Sequence, residues 1–254
     1  MKKSDGLNLS QMFNQNRVLE TGSNPGAWNM ALDEALLMHS VDHATPILRI
    51  YGWQPPCISI GYFQSMEEEV DVLKCGNMGV DVVRRITGGG AVLHEFELTY
   101  TFISKTYPSN IMKSYETICR PVVLCLNKLG YGAKYIPLND IVVDNKKVSG
   151  NAQTRKNNTL LQHGTILLSV DVEKMFSMLK VPSEKIKDKM INDVKDRVSG
   201  INKSFEEVAS NLKESFTEKF GAQIIIDTLS SNEKKDTEKL VIEKYSSKRW
   251  NWRK

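Results

Sequence analysis

Residues 84–94, Arg-Arg-Ile-Thr-Gly-Gly-Gly-Ala-Val-Leu-His, form a segment suited to binding an anion. Three successive glycines let neighbouring backbone N–H groups turn toward one point, and such a concavity holds phosphate or carboxylate oxygens. Arg84 and Arg85 add positive charge and planar donors for the same oxygens. The alternative is a glycine-rich turn between two solvated arginines. Strand-like runs at 79–85 and 98–104 flank the segment, which favours a ligand-binding loop on a rigid scaffold.

A second polar cluster follows further along the chain, at Asn139-Asp140, Lys147, Ser149-Gly150 and Gln162-His163-Gly164. Asp140 opens a predicted strand and Lys147 lies on its hairpin partner, so the carboxylate and the ammonium can approach each other across the pair. The small residues after the lysine leave space for a ligand beside it. A lone Asp–Lys pair on a surface is otherwise only a weak salt bridge.

Together the two clusters suit the formation of an acyl-adenylate. A lysine beside a carboxylate substrate and an α-phosphate would neutralise charge as the carboxylate displaces pyrophosphate, and would later stabilise an acyl oxyanion. Asp140 offers the oxygen ligands that Mg²⁺ prefers to share with phosphates. A non-catalytic nucleotide or carboxylate binder is the open alternative. His94 and His163 are each either a ligand contact or a structural histidine packed under a glycine loop.

The composition is that of a soluble globular protein. The 254 residues are 41% hydrophobic and 25% charged, with a net charge of +4 that is too small to argue for nucleic-acid binding. No apolar run approaches the roughly 18 residues that cross a bilayer, and the first residues lack the apolar region of a secretory signal. The four cysteines have no metal-binding spacing and are predicted to be reduced thiols. We expect a cytoplasmic protein without a membrane partner.

Short strands and helices alternate along the chain. Helical spacing marks residues 28–36 and 118–129, the second with a kink or later start at Pro121. A hairpin is predicted over 141–148 with a tight turn at Asp144-Asn145, and a strand over 160–170 is expected to break at His163-Gly164. This pattern predicts an α+β fold in which helices cover a mixed β-sheet. Neither a dinucleotide-binding fingerprint nor a P-loop is present, because the glycines lead into another strand.

Several motifs in one order resemble the lipoate-protein ligase A and octanoyltransferase group of the biotin/lipoate ligase superfamily. They are residues 29–34 (NMALDE), 61–64 (GYFQ), 84–94, Asn139-Asp140, 147–152 (KVSGNA), 163–165 (HGT) and 245–251. The resemblance implies a class II synthetase-like catalytic domain spanning residues 1–254. We expect a helix-rich part from about residue 171 and no C-terminal accessory domain.

The resemblance also implies roles for individual residues. Lys147 would be the catalytic residue, in contact with the acyl carbonyl, and Asp140 the magnesium site. ATP or lipoyl-AMP would be bound by Arg84, Arg85, Gly88, Gly89, Gly90, Ala91, Val92, Leu93, His94, Asn139, Lys147, Gly150 and His163. The implied cofactors are ATP and Mg²⁺, with lipoate as the substrate.

The leading expectation is a lipoate-protein ligase, which forms lipoyl-AMP and transfers the lipoyl group to a lysine. The implied acceptors are lipoyl domains of 2-oxoacid dehydrogenase acyltransferase subunits and the glycine-cleavage H protein, and a separate accessory protein is expected to assist activation. One alternative is ATP-independent octanoyl or lipoyl transfer between carrier proteins, and a second is a non-catalytic binder. The ligase leads because the similar transferases place a nucleophilic cysteine just before the lysine strand, where residues 135–140 contain none. The sequence leaves the acyl group, the acceptor and the oligomeric state open.

Overall fold

The computed structural model describes residues 15–41, 45–181, 183–221 and 223–253, without the side chains of Glu184 and Lys185. The amino-terminal residues, where no secretory signal was expected, lie outside these ranges, as does residue 222. In the described residues no helix is both long enough and apolar enough to span a bilayer.

The described chain alternates strands and helices from end to end. In order the elements are β1 (Gln15–Asn24), α1 (Gly26–His39), β2 (Ile47–Trp53), β3 (Cys57–Ile60), α2 (Met66–Glu69), α3 (Val72–Asn77), β4 (Asp81–Arg84), β5 (Val92–His94), β6 (Glu97–Ser104), α4 (Ile111–Lys128), β7 (Lys134–Ile136), β8 (Asp140–Val143), β9 (Lys146–Lys156), β10 (Thr159–Leu167), α5 (Val172–Met178), α6 (Glu184–Arg197), α7 (Phe205–Phe220), β11 (Gln223–Asp227), α8 (Ser231–Leu240), a π-helical turn (Val241–Tyr245) and α9 (Lys248–Asn251).

The strands form a mixed sheet, as predicted. Within the described residues, eight strands lie in the order β11-β1-β2-β6-β10-β9-β8-β7, and three more form a small sheet in the order β4-β3-β5. β1 runs parallel to β2 and β11. All other neighbours in the order of the large sheet, β2-β6-β10-β9-β8-β7, run antiparallel to each other. The small sheet carries the arginine pair into the glycine loop, and the large sheet carries Asp140 and Lys147.

Helices cover both faces of the large sheet because its strands alternate apolar side chains between the faces. Phe102 and its neighbours pack with α4 and α7, whereas Ile103, the next residue, packs with α1 on the opposite face. Both residues are at most 2% exposed. The α+β fold class predicted from the sequence is therefore confirmed.

Two local predictions differ from the structure. α4 begins at Ile111 and continues through Pro121. β10 runs unbroken through His163 and Gly164. The segment after β3 contains two short helices, capped by the side chains of Ser65 and Asp71.

Candidate functional site

A cavity of about 260 Å³ lies between the small sheet, the strands β2, β6, β9 and β10 of the large sheet and the helices α5 and α6. Its size is near the lower end of small-ligand pockets, which run from roughly 300 Å³ upward. Most of its wall is apolar, with polar groups from the glycine loop and from Lys147. The lining residues include Met30, Trp53, Val92, Leu167, Met175 and Val194. An apolar cavity with a few polar groups suits a substrate that has an aliphatic part and a reactive polar end.

The structure brings nearly all of the predicted binding residues to this cavity. Its wall includes Arg85, Gly88, Gly89, Gly90, Ala91, Val92, Leu93, His94, Asn139, Lys147, Gly150 and His163. The two clusters that are some 50 residues apart in the sequence therefore share one cavity. The exceptions are Arg84 and Asp140, which do not line it.

Arg85 holds the glycine loop from inside. Its guanidinium donates hydrogen bonds to the carbonyl oxygens of Ser59, Gly88 and Gly90, over 2.8–3.2 Å, and to the Ser59 hydroxyl at 3.0 Å. All of these acceptors are neutral. Burial lowers the pKa of Arg85 to about 10, so the group stays charged at neutral pH. The loop therefore wraps a buried positive charge beside the cavity.

Arg84 points away from the cavity, which corrects its prediction as a ligand contact. The two arginines are neighbours at the end of β4, and adjacent side chains leave a strand on opposite sides. The Arg84 guanidinium is 1% exposed and donates to backbone carbonyls of Gly61, Tyr62, Gln64, Trp250, Asn251 and Arg253. It connects the β3–α2 turn to the last helix, and its donors are used within the protein.

Lys147 lies on β9 beside Asp140 of β8, as the hairpin predicted. The turn residues Asp144 and Asn145 have φ values of 49° and 61°, the conformation of a tight hairpin turn. Lys147 Nζ is 2.7 Å from Asp140 Oδ1, and both side chains are more than a third exposed. The lysine lines the cavity, whereas the aspartate orients it from outside.

The predicted magnesium site is not supported by this arrangement. Asp140 is a single carboxylate whose Oδ1 faces an ammonium group. Within the ranges that the structure describes, no three His, Cys, Asp or Glu side chains are grouped as metal ligands. The described side chains therefore form no metal site of three or more protein ligands, and no step below uses a metal.

His163 belongs to a buried network that joins four elements. Its Nδ1 is 3.1 Å from Asp33 Oδ2 and its Nε2 is 2.7 Å from the Thr87 hydroxyl. Asp33 accepts hydrogen bonds from Arg49 at 2.7 Å and from Thr101 at 2.9 Å. Burial lowers the pKa of His163, against the opposing effect of Asp33. His163 is thus a neutral, hydrogen-bonded side chain that reaches the cavity wall.

A further network on the cavity wall was not predicted from the sequence. The Ser59 hydroxyl is 2.7 Å from His94 Nε2, and His94 Nδ1 is 2.6 Å from Glu97 Oε1. Ser59 and His94 both line the cavity. Sequence reasoning singled out His94 but had no reason to select one serine on a separate strand. The pairing of β3 with β5 brings these residues together.

None of the four cysteines reaches the cavity. Cys57, Cys75, Cys119 and Cys125 are all buried and free, and none lies on the cavity wall. Burial raises the pKa of Cys75 to about 11 and those of Cys119 and Cys125 to about 12, and it raises the pKa of Cys57 well above its ordinary value. Thiols in such surroundings are protonated and unreactive at neutral pH.

Comparison with known proteins places this chain in a family. Residues 25–221 match the family model of the lipoyl protein ligase A/B catalytic domain. The octanoyltransferase LipM of Kyrpidia tusciae is 36% identical over 271 aligned positions, which cover 94% of this chain and 98% of the relative. That of Carboxydothermus hydrogenoformans is 37% identical, over 93% of this chain and 98% of the relative.

Solved structures share the fold. A bipartite lipoate protein ligase from Thermoplasma acidophilum, described with its E2 lipoyl domain, is 31% identical, with a TM-score of 0.89 over 94% of this chain and 98% of that one. A lipoate-protein ligase A bound with ATP is 29% identical, with a TM-score of 0.83 over 94% of this chain and 98% of that one.

These comparisons correct the predicted function. The ATP-dependent ligase reading relied on the absence of a cysteine from residues 135–140, but the sequence relatives aligned along nearly their whole length are octanoyltransferases. They support the transferase alternative over the ligase. The matching family model, together with these relatives, shows that the chain belongs to the lipoyl protein ligase A/B catalytic domain family, as an enzyme of the lipoate/biotin ligase superfamily.

Proposed function

We propose that this protein is an acyltransferase that moves an octanoyl or lipoyl group from a carrier protein to a lysine of a lipoyl domain. The observation that carries the proposal is the apolar cavity with Lys147 and the glycine loop on its wall, in a chain whose relatives are octanoyltransferases. The acceptors would be lipoyl domains of 2-oxoacid dehydrogenase acyltransferase subunits and the glycine-cleavage H protein. We expect the reaction to take place in the cytoplasm.

The cavity suits both ends of such a substrate. Its apolar wall would bury the aliphatic chain, which is a favourable transfer from water of roughly 0.8 kcal/mol for each CH₂ group. The acyl carbonyl would then face the polar part of the wall. There the ammonium of Lys147 and the backbone N–H groups of the glycine loop would stabilise the oxyanion that forms when the carbonyl is attacked.

Transfer between proteins needs no nucleotide, because the acyl group is already activated. A thioester on a carrier has a good leaving group, so its carbonyl accepts an amine without prior adenylation. Lys147 would stabilise the oxyanion rather than bind a phosphate. The buried guanidinium of Arg85 would hold the glycine loop in place. Those residues predicted to bind lipoyl-AMP that line the cavity would thus bind the acyl group and its thioester.

The test is a transfer assay with the full-length protein. Octanoyl-carrier protein and an unmodified lipoyl domain are mixed with enzyme in the absence of ATP, and the octanoylated lysine is detected by mass spectrometry. We expect one octanoyl group per lipoyl domain, and no modification of a domain whose target lysine is replaced by arginine. Modification that requires free octanoate or lipoate together with ATP and Mg²⁺, and does not occur from the carrier, would contradict the proposal.

A further inference from the structure

The proposed transfer lacks a thiol that could hold the acyl group. All four cysteines of the chain are buried away from the cavity, with raised thiol pKa values. The alignment with the Kyrpidia tusciae relative spans 271 positions, more than the 254 residues of this chain, so the relative contains residues that this chain lacks. Covalent transfer in this protein would need another nucleophile on the cavity wall.

Ser59 has the surroundings of an activated nucleophile. Its hydroxyl lies 2.7 Å from His94 Nε2, and His94 Nδ1 lies 2.6 Å from Glu97 Oε1. A hydroxyl, an imidazole and a carboxylate in this sequence of contacts are the arrangement of a serine nucleophile, its base and the group that orients the base. Glu97 is 4% exposed and His94 is 6% exposed, so water competes little for these hydrogen bonds.

The donors and acceptors fix the direction of the hydrogen bonds that join Ser59, His94 and Glu97. The Glu97 carboxylate also accepts from the Thr99 hydroxyl at 2.6 Å, and as an acceptor it requires the proton of the neutral imidazole to be on Nδ1. His94 Nε2 is then an acceptor, and Ser59 must donate to it. The Trp53 ring stacks on the imidazole with ring centroids 4.0 Å apart, and its Nε1 donates to Thr99 at 2.8 Å. The imidazole is therefore held in the orientation that removes a proton from Ser59.

Arg85 favours the deprotonated form of the serine. Its Nη1 donates to Ser59 Oγ at 3.0 Å, and the contacts found for its guanidinium within the described residues are to neutral oxygens. A buried cation without a paired carboxylate stabilises negative charge that develops on a neighbouring oxygen.

We propose that Ser59 accepts the acyl group as an ester, with His94 as general base and acid and Glu97 as the positioning residue. Resting on the proposed function, this inference names how the transfer takes place. Ser59 Oγ attacks the thioester carbonyl and its proton passes to His94 Nε2. The carbon–sulfur bond breaks, and the carrier thiolate takes that proton as it leaves.

The second half returns the protein to its first state. The amine of the acceptor lysine attacks the ester carbonyl and passes a proton to His94. The bond between the carbonyl carbon and Ser59 Oγ breaks, and the serine takes the proton back from His94. The product is an amide, and no oxidant, metal or nucleotide is consumed. Lys147, which lines the same cavity, would stabilise the oxyanion in both halves.

The direct test is to trap the acyl-enzyme. Full-length protein is mixed with octanoyl-carrier protein in the absence of the lipoyl domain, quenched in acid and mapped by peptide mass spectrometry. We expect one octanoyl group on the peptide that contains Ser59, stable to neutral hydroxylamine as an oxygen ester. The Ser59→Cys variant should carry the group as a thioester that neutral hydroxylamine cleaves, and Ser59→Ala should carry none.

Kinetics separate chemistry from structure. Ser59→Ala should lower kcat for transfer by about 10³-fold or more, and Glu97→Gln should lower kcat while the KM for the carrier changes little. The matched control is Ser215→Ala, because Ser215 is fully buried on α7 and its hydroxyl has no hydrogen-bond partner among the described residues. It should transfer at the wild-type rate. Thermal unfolding of each variant shows whether a lost rate reflects a lost fold.

The outcomes distinguish this inference from the function on which it rests. Wild-type transfer with an unchanged rate in folded Ser59→Ala, or an acyl group mapped to another residue, would overturn the role of Ser59 and leave the transferase intact. The role of Ser59 would also be overturned if the wild type transferred the acyl group without any trapped ester and the Ser59→Cys variant had the wild-type rate. Absence of transfer by the wild-type protein would overturn both proposals.

Discussion

Lys147 occupies space that only a glycine leaves free. A Cβ built on Gly150 would lie 2.8 Å from Lys147 Cε and 2.9 Å from its Nζ, closer than such atoms approach each other. The ammonium is also held at 2.7 Å by Asp140. Two neighbours, one charged and one without a side chain, therefore fix the cation at the cavity wall.

Replacing Lys147 with alanine should lower the transfer rate by about 10²–10³-fold, the usual cost of removing one oxyanion donor. Folding should change little, because the side chain is more than a third exposed and such pairs contribute at most about 1 kcal/mol. Lys146→Ala is the matched control, since its exposed ammonium contacts a carbonyl of α6. Steady-state kinetics with the carrier donor would decide, and equal rates in the two variants would contradict the role of Lys147.

Replacing Gly150 with alanine should displace the ammonium rather than unfold the protein. The contact is with the far end of a flexible side chain, which can swing away at small cost. We expect a lower kcat with a nearly unchanged melting temperature. Gly132→Ala is the control, because a Cβ there meets no atom within 4 Å. A lower melting temperature of Gly150→Ala, with full activity in the fraction that remains folded, would contradict this prediction.

At the scale of elements, α1, β2, β6 and β10 meet at one buried network around Asp33. Burial by itself would raise the pKa of Asp33, but Arg49 and His163 outweigh it and hold the pKa below the ordinary 3.8. Burial lowers the pKa of His163 from 6.5, and the nearby charge of Arg85 acts in the same direction. The network thus favours an ionised Asp33 and a neutral His163.

The free energy of unfolding should fall as the pH drops below about 6.5. His163 gains a proton near that pH in the unfolded chain but not in the folded one, so protonation favours unfolding by up to about 1.4 kcal/mol per pH unit. Asp33 adds a further loss only near and below its ordinary pKa of 3.8. Urea titrations between pH 5 and pH 8 measure the loss of stability that is due to His163.

Variants assign that loss to one histidine. His163→Gln should be less stable at pH 8 but should show a smaller decrease between pH 7 and pH 5. His39→Gln removes a partly exposed histidine paired with Asp236 and should keep the decrease. Equal slopes in the wild type and His163→Gln would show that another group causes the pH dependence.

At the scale of the whole molecule, Arg84 ties distant parts of the chain together. Its guanidinium donates hydrogen bonds to carbonyl groups of the β3–α2 turn and of the segment around α9. Trp250 Nε1 in turn donates a hydrogen bond to the Arg84 carbonyl oxygen at 2.9 Å. The carboxyl-terminal helix is thereby fixed to the small sheet that carries the glycine loop.

Replacing Arg84 with lysine should destabilise the protein by at least about 3 kcal/mol. An ammonium has three donors and reaches fewer of the carbonyls, and each buried acceptor left without a partner costs roughly 1–3 kcal/mol. Arg249→Lys, at an exposed position of α9, should stay within about 0.5 kcal/mol of the wild type. Urea unfolding provides the comparison, and equal midpoints would refute the structural role of Arg84.

Local patterns determined much of this protein. The apolar periodicity predicted α1, the Asp144-Asn145 pair predicted the hairpin turn that the structure confirms, and the alternation of elements predicted the mixed sheet. The glycine loop and Lys147, which the sequence predicted as site residues, line the cavity. These features depend on residues that are close in sequence, where backbone preference and side-chain spacing act directly.

Only the tertiary structure decided which side chains face the cavity. Arg84 and Arg85 are adjacent in the sequence, yet their side chains point to opposite sides of the strand. Arg84 contacts the carboxyl-terminal helix, whereas Arg85 contacts the glycine loop. Ser59 became a candidate because β3 pairs with β5 and places its hydroxyl against His94. The sequence by itself therefore determined the fold class and selected most of the predicted residues that line the cavity. The direction of each side chain and the contacts between distant strands required the packed sheet, because a strand's sequence does not state which neighbour it will meet.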